Sequence, residues 1–326
     1  MSVEATYFTT SDSQFFAGTV AMINSLRLTG NRGKVIVFDL GLSDYQRERL
    51  STIATVELPA AAPQAFPKAL PAPDRATGTI VLIDSDMLVV ASLRDSLEAA
   101  GQGKIVVFPD PDDRWFEEWR TTFALQAPLR RGRYANAGFV ALSVEHWPWF
   151  LDRWAEVNDR IPLERLSRSE LNPFRDTDQD ALNAVLMSEV PPDATLMQPE
   201  WAEAHPDVLH RIRVVDKRKL TCTDDGRPVT ILHQSMRPKT LESSGWRRDF
   251  REAYAQLLPR VLCWDDLPLR LEREDLPLWL KPTLPGRLVF RSLTTVHSLP
   301  GAIRATRAAR RSTQALRSRR TARASA

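Results

Sequence analysis

The stretch Ile80-Val81-Leu82-Ile83-Asp84-Ser85-Asp86-Met87-Leu88-Val89-Val90 constrains this chain most. An uninterrupted run of Ile, Val and Leu describes a strand buried on both faces. Here two carboxylates, Asp84 and Asp86, break the run, and desolvating them is costly unless a partner offsets it. A divalent cation would be such a partner. Hard oxygen ligands suit Mg²⁺ or Mn²⁺, which bind through one or two carboxylates and the phosphates of a substrate. The stretch therefore reads as a strand ending at a metal-diphosphate site. Asp and Ser are also ordinary turn residues, so a strand ending in a solvated turn is the other reading.

The flanking pattern places this strand in an α/β sheet. Ala5–Thr9 reads as a first strand, followed by the polar turn Thr10-Ser11-Asp12-Ser13. Phe15–Thr29 reads as a helix with Val20, Ile23, Leu26 and Leu28 on its apolar face and Gly30 as its stop. Lys34–Asp39, Thr55–Leu58 and Lys104–Phe108 read as strands. Ser43 caps a helix to about Ile53, and Ser92–Ala100 is another helix. This alternation predicts βαβ units and a mostly parallel sheet. Ligands of such sheets bind beyond the carboxyl ends of the strands, where both the Thr10–Asp12 turn and the Asp84/Asp86 pair fall.

Further on, Gly138–Leu142 reads as a strand and Val144–Val157 as a helix whose Trp147, Trp149 and Trp154 belong to the core. Thr177–Ser188 reads as a helix opening on Asp178-Gln179-Asp180. Val229–Leu232 reads as a strand ending at His233, and Trp246–Leu258 as a helix. His146, His205, His210 and His297 show no partner pattern and read as structural or surface groups.

Charge divides the chain. Residues 281–326 hold 11 Lys and Arg and no acid, so the other 33 basic residues against all 41 acids leave the body at −8. A basic segment on an acidic body suggests contact with a polyanion such as an anionic membrane surface. Aromatic-basic interleaving of the kind that reads single-stranded nucleic acid is absent, so no nucleic acid is expected. No apolar run reaches membrane-span length, and the first residues do not read as a signal peptide. Two cysteines without metal-type spacing fit a reducing compartment, and a cytoplasmic location, peripheral at the inner membrane face, is expected.

Taken together the motifs resemble the retaining nucleotide-sugar glycosyltransferases of the GT-A fold, the group of glycogenin and the lipopolysaccharide galactosyltransferases. Phe8-Thr9-Thr10-Ser11-Asp12 and Asn24-Ser25-Leu26-Arg27 are similar to that family's first strand, turn and helix. Asp84-Ser85-Asp86 stands where the family has its DxD motif. Asn136-Ala137-Gly138-Phe139 resembles its Asn-Ala-Gly strand, and Asp178–Asn183 its Asp-Gln-Asp helix start. His233 and Lys239 keep the spacing of its terminal His-Gly-Lys motif. The chain departs from the pattern at Met236, where the family has Gly, and at Thr240-Leu241, where it has Pro-Trp.

The resemblance implies a GT-A domain over residues 1–258, a proline-rich connecting or docking segment over 259–300 and a basic tail over 301–326. It implies that Asp84, Asp86 and His233 hold Mn²⁺ or Mg²⁺. Phe8, Thr10, Ser11, Gln14, Lys68, Ser85 and Lys239 would bind the nucleotide-sugar, with Asn136, Asp178, Gln179 and Asp180 around the reacting sugar. The implied activity is transfer of a hexose from a UDP-sugar to a glycan or glycolipid, as in bacterial polysaccharide synthesis, with retention at the anomeric carbon. Two other readings stand beside it. One is an inactive nucleotide-sugar-binding homologue, with Met236 filling the phosphate pocket. The other is a phosphatase using Asp84 and Asp86 as nucleophile and acid.

Overall fold

A computed structural model describes residues 4–59, 70–72, 75–167, 169–235, 252–276 and 280. The central sheet has seven strands: β1 (Thr6–Ser11), β2 (Val35–Asp39), β3 (Thr55–Glu57), β4 (Thr79–Ile83), β6 (Ile105–Pro109), β7 (Ala135–Ser143) and β8 (Thr195–Met197). Their order is β3-β2-β1-β4-β7-β6-β8. Pairing is parallel throughout except at β7, which runs antiparallel to both β4 and β6. The chain moves outward from β1 to β2 and β3, then returns to place β4 on the other side of β1. That reversal creates a switch point at the carboxyl ends of β1 and β4.

Alternate residues of each strand enter two separate cores, as a sheet covered on both faces requires. Tyr7, Val37, Val81, Ile83, Val106 and Phe139 point to one side. Phe8, Ile36, Leu82, Val107, Val140 and Leu142 point to the other. On the first side pack α1 (Phe16–Leu28), α3 (Arg94–Gly101) and α7 (Ala253–Cys263). On the second pack α4 (Glu118–Thr122), α5 (Phe150–Asp159) and α6 (Asp178–Ser188). The edge helix α2 (Asp44–Ser51) starts in a full capping box, Ser43 with Gln46, and buries only Leu50.

A small second sheet brings the site together: β5 (Met87–Val89), β13 (Ile231–His233) and β9 (Glu203–Ala204), in the order β5-β13-β9. A separate meander is formed by β10 (Arg213–Asp216), β11 (Thr221–Asp224) and β12 (Arg227–Pro228).

Several expectations are corrected. The Trp-rich helix begins at Phe150 rather than Val144, because Pro148 lies in a preceding turn and cannot supply a helical amide. Trp154 is fully buried, whereas Trp149 stays 37% exposed in that turn. Pro259 does not end the last helix. α7 runs through it to Cys263, because Leu257, Leu258, Val261 and Leu262 are all buried on one apolar face. Leu269, Leu271, Leu276 and Leu280 join the same core. The residues of 281–326 lie outside the described part.

Candidate active site

The Asp84-Ser85-Asp86 turn links β4 to β5 at the switch point. Its backbone is fixed on three sides: Asp84 N–H donates to the Gly138 carbonyl at 2.9 Å, Met87 N–H donates to the Asp84 carbonyl at 3.2 Å, and Gln234 N–H donates to the Asp86 carbonyl at 3.0 Å. From the other side α1 presses in at Gly18, where a Cβ would lie 2.7 Å from the Ser85 carbonyl oxygen. The register of β13 on β5 pairs His233 with Met87, which delivers the imidazole to the aspartates. One ligand atom from each of Asp84, Asp86 and His233 lies within 4.8 Å of the others.

This donor set fits a divalent cation. His233 and Asp86 are each 3% exposed, and His233 Nε2 lies 3.4 Å from Asp86 Oδ1. That nitrogen makes no hydrogen bond among the described residues. Two carboxylate oxygens with one imidazole nitrogen form a borderline set that suits Mn²⁺ or Mg²⁺ better than a soft metal. Burial pulls the imidazole's basicity down. The Asp86 and Glu203 charges outweigh it, leaving His233 raised to about 10 without a cation. Gly138 matters for the same closeness: a Cβ there would meet Met87 Cε at 2.3 Å, Asn136 Oδ1 at 2.7 Å and His233 Cε1 at 2.9 Å.

A second cluster stands beside the first, on a bulge. Between Val107 and Phe108 the β6–β7 register shifts, so β7 bows out at residues 137–139 and re-aims its side chains. Asn136 Nδ2 and Gln179 Nε2 both donate to Asp110 Oδ2, each at 3.1 Å. Asn136 Oδ1 accepts from Gly138 N–H at 2.7 Å, and Gln179 Oε1 accepts from Ala137 N–H at 3.0 Å. Every polar end of these two amides is thus oriented by a neighbour, while Gln179 keeps partial exposure. Asn183 docks α6 on β7 by exchanging both its amide groups with the Ala135 backbone, at 2.7 and 2.8 Å. The helix is entered through Thr177 at φ 44°, ψ −108°, a strained conformation for a β-branched residue. Such strain persists only where surrounding structure imposes it, and it clusters at functional sites.

The remaining predicted residues are placed as follows. Asp178 is buried at the first turn of α6, and its Oδ1 accepts from Thr177 Oγ1 at 3.3 Å. Asp180 is wholly buried in an ion pair with Arg114 Nε at 3.1 Å and accepts from Tyr134 Oη at 2.7 Å. Burial raises its carboxyl to about 6 against the pull of Arg114 and Tyr134. Phe8 is inside the second core, stacked on Phe38 with ring centroids 5.9 Å apart. The Ser11 hydroxyl is 2.7 Å from Thr19 Oγ1, which donates to it. Thr10 is half-buried and Gln14 is exposed on the turn after β1. Ser85 is buried in the metal turn. Lys68, Lys239 and Met236 lie outside the described residues.

Two groups escaped the sequence reading. Asp110 follows the apolar run of β6 just as Asp84 follows that of β4, so a signal was present. Glu203 gave none, since its partners are 30 residues away in sequence or hidden in an unpatterned His205. A cavity of about 680 Å³ opens beside both, between Asp110, Tyr134, Trp201, Glu203, His205 and Arg211.

No protein-family model matches the chain, and no curated protein sequence does. Solved structures do. An active-site mutant of LgtC is 14% identical, with a TM-score of 0.50 over 78% of this chain and 94% of that one. The bifunctional glycosyltransferase WbbM in its apo form is 14% identical, with a TM-score of 0.52 over 89% of this chain. The chain folds as a GT-A domain. It spans 94% of LgtC and 52% of WbbM.

Proposed function

We propose that the protein is a metal-dependent glycosyltransferase that moves a hexose from a UDP-sugar to a glycan or glycolipid acceptor with retention. The observation that carries this is the convergence of Asp84, Asp86 and His233 at the switch point of a GT-A sheet, next to the Asp110–Asn136–Gln179 cluster. A divalent cation held by Asp84, Asp86 and His233 would neutralise charge on the departing nucleotide. The half-buried Thr10 and the exposed Gln14 border the nucleotide side at the end of β1, and Lys68 and Lys239 are proposed as phosphate contacts. The Asn136 and Gln179 amides face the donor sugar with their orientation preset by Asp110, so little reorganisation is needed as charge develops on the sugar. Asp178 and Asp180 support that surface from the first turn of α6.

The cavity on the far side of Asp110 is the proposed acceptor site. Of its charged walls, Arg133 pairs with Glu200 and Arg211 with Asp224, the latter at 2.9 Å, while Asp110, Asp112, Asp113, Glu203 and Asp207 leave the lining with more acids than bases. Trp201 also lines it, its ring partly exposed with the Arg227 guanidinium 4.7 Å from the ring centroid. These features suit a neutral, hydroxyl-rich acceptor.

The test is a donor screen of UDP-, GDP- and CMP-sugars, reading nucleotide release with and without Mn²⁺. Release from a UDP-sugar should require the ion and should be lost in Asp86→Asn without loss of cooperative unfolding. Turnover undiminished by exhaustive chelation would refute the metal-dependent reading. Donor binding without turnover for any acceptor would favour an inactive homologue.

A further inference from the structure

A metal-ligating imidazole has two nitrogens, and which one faces the ion depends on what holds the other. In His233 that other nitrogen is Nδ1, and it is 2.8 Å from Glu203 Oε1. Glu203 reaches it across the small sheet. β9 lies parallel to β13 with Glu203 paired to Ile231, so His233, two residues along, projects from the same face as a diagonal neighbour. The Glu203 carboxylate is fully enclosed, with a side-chain exposure of 0%.

An isolated buried carboxylate would protonate instead of staying charged. This one is not isolated: His233 Nδ1 stands at hydrogen-bond distance from Oε1. Its second oxygen, Oε2, lies 3.4 Å from His205 Nε2 without a hydrogen bond between them, and the two imidazole rings stand 5.5 Å apart. Glu203, His205 and His233 also satisfy the distances of a cation site among themselves. The 2.8 Å contact at Nδ1 is a hydrogen-bond length, however, and Nε2 of the same ring is already turned to Asp86. One imidazole donating at Nδ1 and ligating at Nε2 accounts for both contacts.

We infer that Glu203 is a positioning residue: it accepts the Nδ1 proton of His233, fixes the ring, and aims Nε2 at the cation held with Asp84 and Asp86. This rests on the metal reading of Asp84, Asp86 and His233. Carboxylate partners of ligating histidines fix the tautomer and ring orientation, and their removal weakens metal affinity by about 10–100-fold.

The test is calorimetric titration of Mn²⁺ into the full-length protein without donor, for wild type, Glu203→Gln and Asp86→Asn. Glu203→Gln should bind one ion at roughly 10–100-fold lower affinity, and Asp86→Asn should bind none. Wild-type affinity in Glu203→Gln beside lost binding in Asp86→Asn would overturn the role of Glu203 alone. Unchanged binding in both variants would instead remove the metal reading itself. Two ions per wild-type chain, with one lost in Glu203→Gln, would make Glu203 a ligand and overturn the positioning role. If Glu203→Gln does not fold, the wild-type protein saturated with Mg²⁺ decides. Nitrogen-15 spectra of His233 should show the proton on Nδ1, and a proton on Nε2 would refute the inference.

Discussion

At the residue scale, the site is held by buried charges that satisfy one another, and the Asp180–Arg114 pair carries a pH signature. Asp180 illustrates the sign. Burial raises its carboxyl to about 6, with Arg114 and Tyr134 opposing. A folded-state value above the unfolded one contributes stability that is fully present below the ordinary carboxylate range and lost as pH rises through about 6. Above that pH the charged carboxylate depends on Arg114, whose side chain is itself 5% exposed. Arg114→Leu should therefore cost about 3–5 kcal/mol at pH 8, the usual effect of stranding a buried charge. The cost should shrink at pH 5, where Asp180 can protonate. Urea unfolding at the two pH values measures this, and an equal loss at both would mean that Asp180 is not the stranded group. Arg114 has the same standing as Glu203: both act on a predicted site residue, and neither belongs to a local motif. The sequence exposes groups that interrupt an apolar run, such as Asp84 and Asp86. It hides groups whose meaning comes from a partner far along the chain.

At the scale of elements, the strands were legible because burial on both faces leaves a continuous apolar run, and β1, β2, β4 and β6 fall within a residue or two of their expected bounds. The antiparallel course of β7 was not legible, since no local property of Ala135–Ser143 records direction. The end of α7 was missed because a proline argues locally for a break, whereas the packed face of the helix outweighs one lost hydrogen bond. The motif Asn24-Ser25 acquires a physical reason only in three dimensions. Ser25 Oγ accepts from Val89 N–H at 2.9 Å, tying α1 to the strand after the aspartates. Asn24 Nδ2 donates to the carbonyls of Val261 at 2.8 Å and Leu269 at 2.7 Å, tying α1 to the end of α7 and the chain beyond it. Replacing Asn24 by Leu leaves two buried carbonyls without this donor. At about 1–3 kcal/mol for each unsatisfied group, a loss of roughly 3 kcal/mol is expected. Amide exchange should accelerate first in residues 252–276, and a uniform effect across the sheet would show that α7 is not separately anchored.

At the scale of the whole molecule, the distribution of charge matters more than its total. The formal net charge of +3 combines a body at −8 with 11 unopposed basic residues beyond residue 280. An anionic surface repels such a body on average, and the proposed attraction comes from the tail, where eight arginines lie in residues 301–326. Among the described residues no helix is long and apolar enough to cross a membrane. Electrostatic attraction through the tail is the proposed means of reaching a lipid-borne acceptor. Basic side chains near an anionic leaflet contribute about 1 kcal/mol each and act only within a Debye length. Deleting residues 301–326 should therefore abolish co-sedimentation with vesicles containing phosphatidylserine, and 0.5 M salt (roughly a 4 Å Debye length) should release the full-length protein. Turnover of a soluble donor should be unchanged, because every group proposed to touch the donor lies before residue 240. Vesicle binding by the truncated protein, undiminished at low salt, would exclude the tail as the membrane contact and move the search to the surface of the acidic body.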